Sequence, residues 1–421
     1  MSNYKRFLIY FIGSFSLLLG LVLNENSSGG AKIDFEYLFP YIEGFSVNLS
    51  DGLNFYIRDS ASIIHSPVFY VVISSIYKFI NNVVVIKIIY IFLCSFLPFI
   101  FFLILKDKFN LEKNILFFFS LIIFISPYFR SSAIWLLGDN LSLIFFGLSI
   151  FFFNKINQLK KNDFMNCFLC LFFLILCCYV RYYYCLFSLY YLFFCYQNLQ
   201  KKYFIILIFI LTLISLPAFL YFYYIFFNFN FATTVNNYSQ INFYNNSLVV
   251  LSILLFYLLP FCFIQKDHFL EYFRNNKMMI MNFFIIIFIF FILSQFIFTE
   301  LTNFSQKGGG VFMKIAKLID ISPTFILSVT SFISLVFFDY FFQKKRIINY
   351  TLLIMLILSF PIFTIYQKYF DPLFFLFFFG LIRFNNIDCN FFMKKNFLFI
   401  VFTYFSFFYL FSLIYYSERF F

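Results

Sequence analysis

Apolar residues run through this chain in long unbroken stretches, and the polar positions fall mostly in the gaps between them. The first stretch, FLIYFIGSFSLLLGLVL from Phe7, contains no charge at all. Such segments show neither the period-two alternation of a half-buried strand nor a narrow apolar stripe at period 3.6; they are apolar all round, as helices immersed in lipid are. Segments of this kind lie at 7–24, 82–105, 114–129, 140–153, 164–180, 183–197, 203–227, 248–264, 278–298, 324–342, 349–366, 372–384 and 396–416. The pattern predicts an all-α, polytopic membrane protein with about 13 transmembrane helices.

The gaps differ in kind. With a cytoplasmic N-terminus, one set holds Lys5 and Arg6, then Lys106, Lys108 and Lys113, then Lys155, Lys160 and Lys161, and continues in the same way to Lys394 and Lys395. Basic residues gather on the cytoplasmic side of membrane proteins, so these short basic gaps orient the chain. The same rule accounts for the net charge of +12, and no nucleic-acid partner is expected. The first apolar run has no small-x-small cleavage site after it, so it reads as a retained helix rather than a cleaved leader.

Composition agrees with lipid as the main solvent. Hydrophobic residues make up 63% of the chain and charged residues 11%, with a mean hydropathy of +0.91. The 81 Phe and 32 Tyr fit an AT-rich coding bias and carry no functional weight by themselves. Cys167 and Cys170 form a C-x-x-C, but it sits inside an apolar segment with no matching His or Cys pair in water, so zinc is not expected.

On the opposite face the few charges are of types that do chemistry. The gap 25–81 carries Asp34, Glu36, Glu43, Asp51, Arg58, Asp59 and His65; the next outer gaps carry Arg130 and Asp139, then Arg181; later ones carry Lys307, Lys314 and Lys317, then Lys368 and Asp371. Within the first gap Ser66 reads as an N-cap and Pro67 as the first position of a helix to about Ile80, too short and too early to cross, and so predicted to lie in the interface. Lys87 is the clearest charge inside an apolar run.

This arrangement resembles the GT-C membrane glycosyltransferases, among them the protein O-mannosyltransferases, the lipid A aminoarabinose transferases and the dolichyl-phosphate-sugar transferases. The resemblance rests on Asp34 with Glu36 soon after the first helix, on HSPVFY at 65–70, and on SPYFRSSAIWLLGDNLSLIFF at 126–146. It covers residues 1–200, a catalytic module that includes the long extracytoplasmic loop 25–81; residues 201–421 resemble the family only in being polytopic. Ser66 departs from the doubled proline common in the family, and VRYYYC around Arg181 departs from the dolichyl-phosphate-glucose pattern. The resemblance implies a polyprenyl-phosphate-linked sugar donor and a glycan, lipid or protein acceptor.

Sugar transfer from a lipid phosphate needs a base for the acceptor proton and cations for the departing phosphate. Asp34 is the expected base, with Glu36 as second choice and Asp139 as a further catalytic candidate that also reads as an N-cap. Arg130, Arg181, Lys307, Lys368 and His65 are the expected contacts to donor phosphate or sugar. Lys307 precedes three glycines whose amides could wrap a phosphate. No protein metal site is expected, although the chemistry admits a divalent cation as cofactor. Trp135 is expected to anchor at the interface. Competing readings are a polysaccharide polymerase or ligase of the O-antigen type and a lipid-linked sugar flippase.

Overall fold

A computed structural model describes residues 3–59, 66–158, 163–228, 243–297, 308–343, 345–362, 364–384 and 388–416. Among these residues every regular element is helical. Hydrocarbon offers no partner for a backbone N–H or C=O, and a helix satisfies both within one segment.

Among the described residues, eight helices are long and apolar enough to cross a bilayer: Tyr4–Val22, Val83–Lys108, Gly138–Ile156, Lys201–Tyr221, Phe243–Ile264, Lys277–Ser294, Pro323–Phe342 and Phe397–Tyr416. The pair Lys113–Ile125 and Pro127–Ile134, bent by 63° at the break, makes a ninth if it is one span. The bend has a local cause. Ser126 is extended and accepts a hydrogen bond from the Phe129 amide, so a new helix starts at Pro127, whose ring cannot continue the preceding one.

Other apolar segments form shorter helices than hydropathy suggests. The segment 183–197 is a 3-10 turn followed by the 12-residue helix Phe187–Asn198. The segment 372–384 holds one α turn, Leu373–Phe375, and the six-residue π turn Leu376–Leu381. At about 1.5 Å per residue these fall well short of a core about 30 Å thick. Apolar composition reports the surroundings of a segment, not how far its helix runs.

The chain forms two compact units, Met1–Val235 with Phe405–Phe421, and Asn236–Tyr404. The first unit thus extends past residue 200, because Lys201–Asn228 packs on the helices before it. Its elements are α1 (Asn3–Val22), α2 (Ala31–Val47), α3 (Leu49–Asp59), α4 (Val68–Ile80), α5 (Val83–Cys94), α6 (Phe96–Lys108), α7 (Lys113–Ser120), α8 (Pro127–Ile134), α9 (Gly138–Gln158), α10 (Phe164–Val180), α11 (Phe187–Asn198) and α12 (Lys201–Asn228).

The long loop expected at 25–81 contains three helices. α2 buries Ala31, Tyr41, Ile42 and Phe45, one face at helical spacing, and packs on α3 and α4. Tyr41, Tyr56 and Tyr70, one from each helix, meet with ring centroids 5.0 to 5.9 Å apart. Near its predicted start, α4 begins at Val68, whose amide donates to the Ser66 hydroxyl. The turn before α2 depends on Gly29, at φ +76°, where a Cβ would lie 2.2 Å from the Tyr416 ring.

In the second unit, α13 (Phe243–Ile264) is apolar all round and almost wholly buried. Around it lie α14 (Lys266–Asn275), α15 (Lys277–Ile297), α16 (Gly310–Leu318), α17 (Pro323–Phe342) and α18 (Arg346–Leu358); of the final helix, α19 (Phe397–Tyr416), the residues to Tyr404 belong to this unit and those from Phe405 to the first. Small hydroxyl residues join α13 to α17: Thr330 donates to Ser252 at 2.8 Å and Ser331 to the Leu248 carbonyl at 2.7 Å.

Candidate functional site

Three helix ends of the first unit converge with α2. α9 opens at Gly138, so Asp139 is inside its first turn rather than capping it. α10 ends at Val180, and Arg181 leaves the helix in an extended conformation. Arg181 Nε donates to Asp139 Oδ1 at 2.9 Å and its Nη2 to Oδ2 at 3.0 Å, a two-pronged pair with 11% and 24% of the side chains exposed. That exposure leaves the pair within reach of a bound anion. Burial disfavours the Arg181 cation, but the Asp139 carboxylate together with the Tyr70 and Tyr183 phenols outweighs it and raises the guanidinium well above its ordinary value.

Tyr70 of α4 links this pair to Asp34. Burial pushes its phenol up to about 12; Arg181 opposes the shift, while Asp139 and Asp34 reinforce it, so all three charges act on one hydroxyl. Asp34, Asp139 and Arg181, expected from sequence on one face, come into one electrostatic neighbourhood around Tyr70.

Glu36 has a different setting. Two residues along a helix are about 200° apart around its axis, so Asp34 and Glu36 do not share a side. Glu36 is exposed and acts electrostatically on Lys87 of α5. Lys87 is itself only 7% exposed, with its ammonium 3.8 Å from the Phe35 ring centroid and 4.2 Å from that of Trp135.

Arg130 is built into the fold. Its Nε and Nη2 donate to the two Glu25 oxygens at 2.8 and 2.6 Å, its Nη1 to the Ser16 hydroxyl at 2.9 Å and the Phe124 carbonyl at 3.2 Å, and its Nη2 also to the Ser16 carbonyl at 3.0 Å. A guanidinium has five N–H donors, and five bonds are made. No donor remains for a phosphate. Gly20 makes room for the pair, since a Cβ there would lie 2.6 Å from Glu25 Oε2. Trp135, expected at the interface, is instead buried and donates to the Glu25 carbonyl at 2.8 Å.

In the second unit, two stretches singled out from sequence meet. Gly308, Gly309 and Gly310 all have positive φ, and the Gly309 amide donates to the Ile365 carbonyl at 2.8 Å. Gln367 accepts from the Val311 amide at 3.1 Å, closing the start of α16. Lys368, next along, is half-buried near the Tyr366 and Tyr369 rings, at 5.5 and 5.9 Å. Lys307 and His65 lie outside the described residues. Among the described residues no three His, Cys, Asp or Glu side chains come together as a metal site.

Comparison with protein-family models, curated proteins and solved structures finds no match to this chain.

Three further polar groups matter here: Lys87, noted from sequence but given no role, and Glu25 and Asp339, which the sequence reading passed over. Glu25 is the acid nearest the end of α1, on the face assigned to Arg130. Lys87 and Asp339 are lone charges within apolar runs, the usual sign of a paired or functional group. Asp339 is completely buried and accepts from Tyr272, from Tyr350 at 2.7 Å and from Arg346 at 3.0 Å.

Proposed function

We propose that this protein is a membrane glycosyltransferase that moves a sugar from a polyprenyl-phosphate donor to a lipid-linked glycan, lipid or protein acceptor. The observation that supports this reading is the grouping of Asp34, Tyr70, Asp139 and Arg181 at helix ends of one unit. It combines a carboxylate with a partly exposed guanidinium, as the chemistry requires. On this reading the site faces outside the cytoplasm, the N-terminus lies inside, and the chain has about 13 transmembrane helices.

In this mechanism Asp34 takes the proton of an acceptor hydroxyl, and the oxygen attacks the anomeric carbon. The bond from that carbon to the phosphate oxygen breaks, and the phosphate leaves with the electron pair. A single displacement inverts the anomeric centre. Arg181 stabilises the charge on the leaving phosphate, and Asp139 keeps it oriented until donor binds. Arg130 has no part in the chemistry; Lys368 and the glycine turn form a separate candidate contact for donor.

The test is transfer from labelled polyprenyl-phosphate sugars in membranes carrying wild type or Asp34→Asn. Loss of a general base should lower the rate by about 10²–10⁴-fold at equal expression. A wild-type rate in the variant refutes the assignment of Asp34. A lipid-linked sugar flippase is the second reading, favoured by the bent pair α7–α8 and the interrupted segment 364–384. It would move the labelled lipid across vesicles with no transfer.

A further inference from the structure

Lys87 has no evident structural reason to be a lysine. It lies about one helical turn inside the span Val83–Lys108, between the faces of Phe35 from α2 and Trp135 from the α8–α9 connection. Its ammonium carries three N–H donors, and no acceptor for them occurs among the described residues. Removing an ammonium from water costs several kcal/mol, whereas each desolvated ring face returns about 2 and Glu36 is exposed. A methionine of similar volume would fill the cage without that cost.

We infer that Lys87 is a phosphate-binding lysine, and that the Phe35 and Trp135 faces hold its charge while the site is empty. Its depth favours a phosphate carried on a lipid: about four residues below the start of the span is roughly 6 Å, the level of the headgroup boundary. The proposal deepens the transferase reading and rests on it for the identity of the lipid. It divides the work of α2. Asp34 serves the acceptor on the Tyr70 side, and Glu36, not bonded to Lys87, acts on it through its charge from the other side.

The charge arrangement makes an unusual sign prediction. Glu36 competes with the anion for Lys87, so Glu36→Gln should tighten phosphate binding, whereas Lys87→Gln should weaken it and Lys87→Arg should retain it. A lysine that only packs between two rings would give no tighter binding on loss of Glu36.

Trp135 is the only tryptophan of the chain, and its ring forms the cage, so its emission reports the site directly. Purified full-length protein in nanodiscs is titrated with a polyprenyl monophosphate, with the uncharged polyprenol and with inorganic phosphate. The expected result is a saturable change with the lipid phosphate, at least about tenfold weaker in Lys87→Gln (about 1.4 kcal/mol) and several-fold stronger in Glu36→Gln. Inorganic phosphate binding as tightly as the lipid would support the anion site and assign it to free phosphate. Equal affinity in wild type and Lys87→Gln overturns the proposal, as does an equal response to polyprenol. If Lys87→Gln does not fold, Glu36→Gln decides alone: unchanged or weaker binding overturns it. Asp34→Asn separates the two claims, because it should lose transfer and keep the Trp135 response. Lys87-dependent binding in a wild type that transfers nothing would sink the transferase reading and leave the phosphate site standing.

Discussion

Replacing Arg130 by Met is the sharpest test of which arginines serve the fold. The Arg130–Glu25 pair is two-pronged at 2.8 and 2.6 Å, with side chains 6% and 7% exposed. Deleting one partner of such a pair leaves the other charge buried and uncompensated, a cost of about 3–5 kcal/mol. Glu25→Gln should cost a comparable amount, since it strands the guanidinium. The double variant, Arg130→Met with Glu25→Met, strands neither charge and should recover most of the loss, ending within about 2 kcal/mol of wild type. Unfolding in mixed micelles, followed by Trp135 emission, measures all three, because the indole N–H donates to the Glu25 carbonyl. Single variants that cost under about 1 kcal/mol, or an Arg130→Met protein of full stability that no longer binds lipid phosphate, would refute the structural role.

Other consequences follow from the same geometry. Asp339→Asn should destabilise the second unit by about 1.5–3 kcal/mol, because two tyrosines lose a charged acceptor and the partly exposed Arg346 loses its countercharge; detergent melting curves indistinguishable from wild type would contradict this. Tyr70 has its folded value raised to about 12 from 10.0, so its contribution is complete below pH 10 and is lost as the pH rises toward 12. Wild type should therefore lose more stability than Tyr70→Phe between about pH 9 and about pH 11, and equal losses would exclude the effect. Cys185 is exposed in the 3-10 turn that follows Arg181. An impermeant maleimide applied to intact cells should label it near neutral pH, and labelling only after permeabilisation would reverse the proposed sidedness.

Much of the fold is legible along the chain because hydrophobicity is local. Each apolar run reports lipid or protein around it regardless of its neighbours, and the runs at 82–105, 203–227, 248–264 and 324–342 correspond to helices within a few residues at each end. Helix length is less legible, as the turns within 372–384 illustrate: close packing of Phe374, Phe378 and Phe379 rings buries that segment without a long helix. Of the three helices in 25–81, α4 was legible from Ser66, Pro67 and the apolar run to Ile80, whereas α2 and α3 were missed for the converse reason: their buried faces are held by Tyr41, Tyr56 and isolated apolar positions, too sparse to register as a membrane segment.

The residues of the candidate site divide in the same way. Sequence alone determined that acids and bases gather at the ends of the apolar segments, since charge is expelled from hydrocarbon wherever the chain permits. Tertiary structure alone decided which of them meet. Arg130 and Arg181 look alike in sequence, yet one has all five donors spent on Glu25, Ser16 and Phe124 while the other holds a partly exposed Asp139. Asp34 and Glu36 are neighbours in sequence, yet α2 turns one toward Tyr70 and the other toward Lys87. Those outcomes depend on the rotation of each helix about its axis and on how neighbouring helices cross, quantities set by many weak packing contacts at once and written in no single stretch of residues.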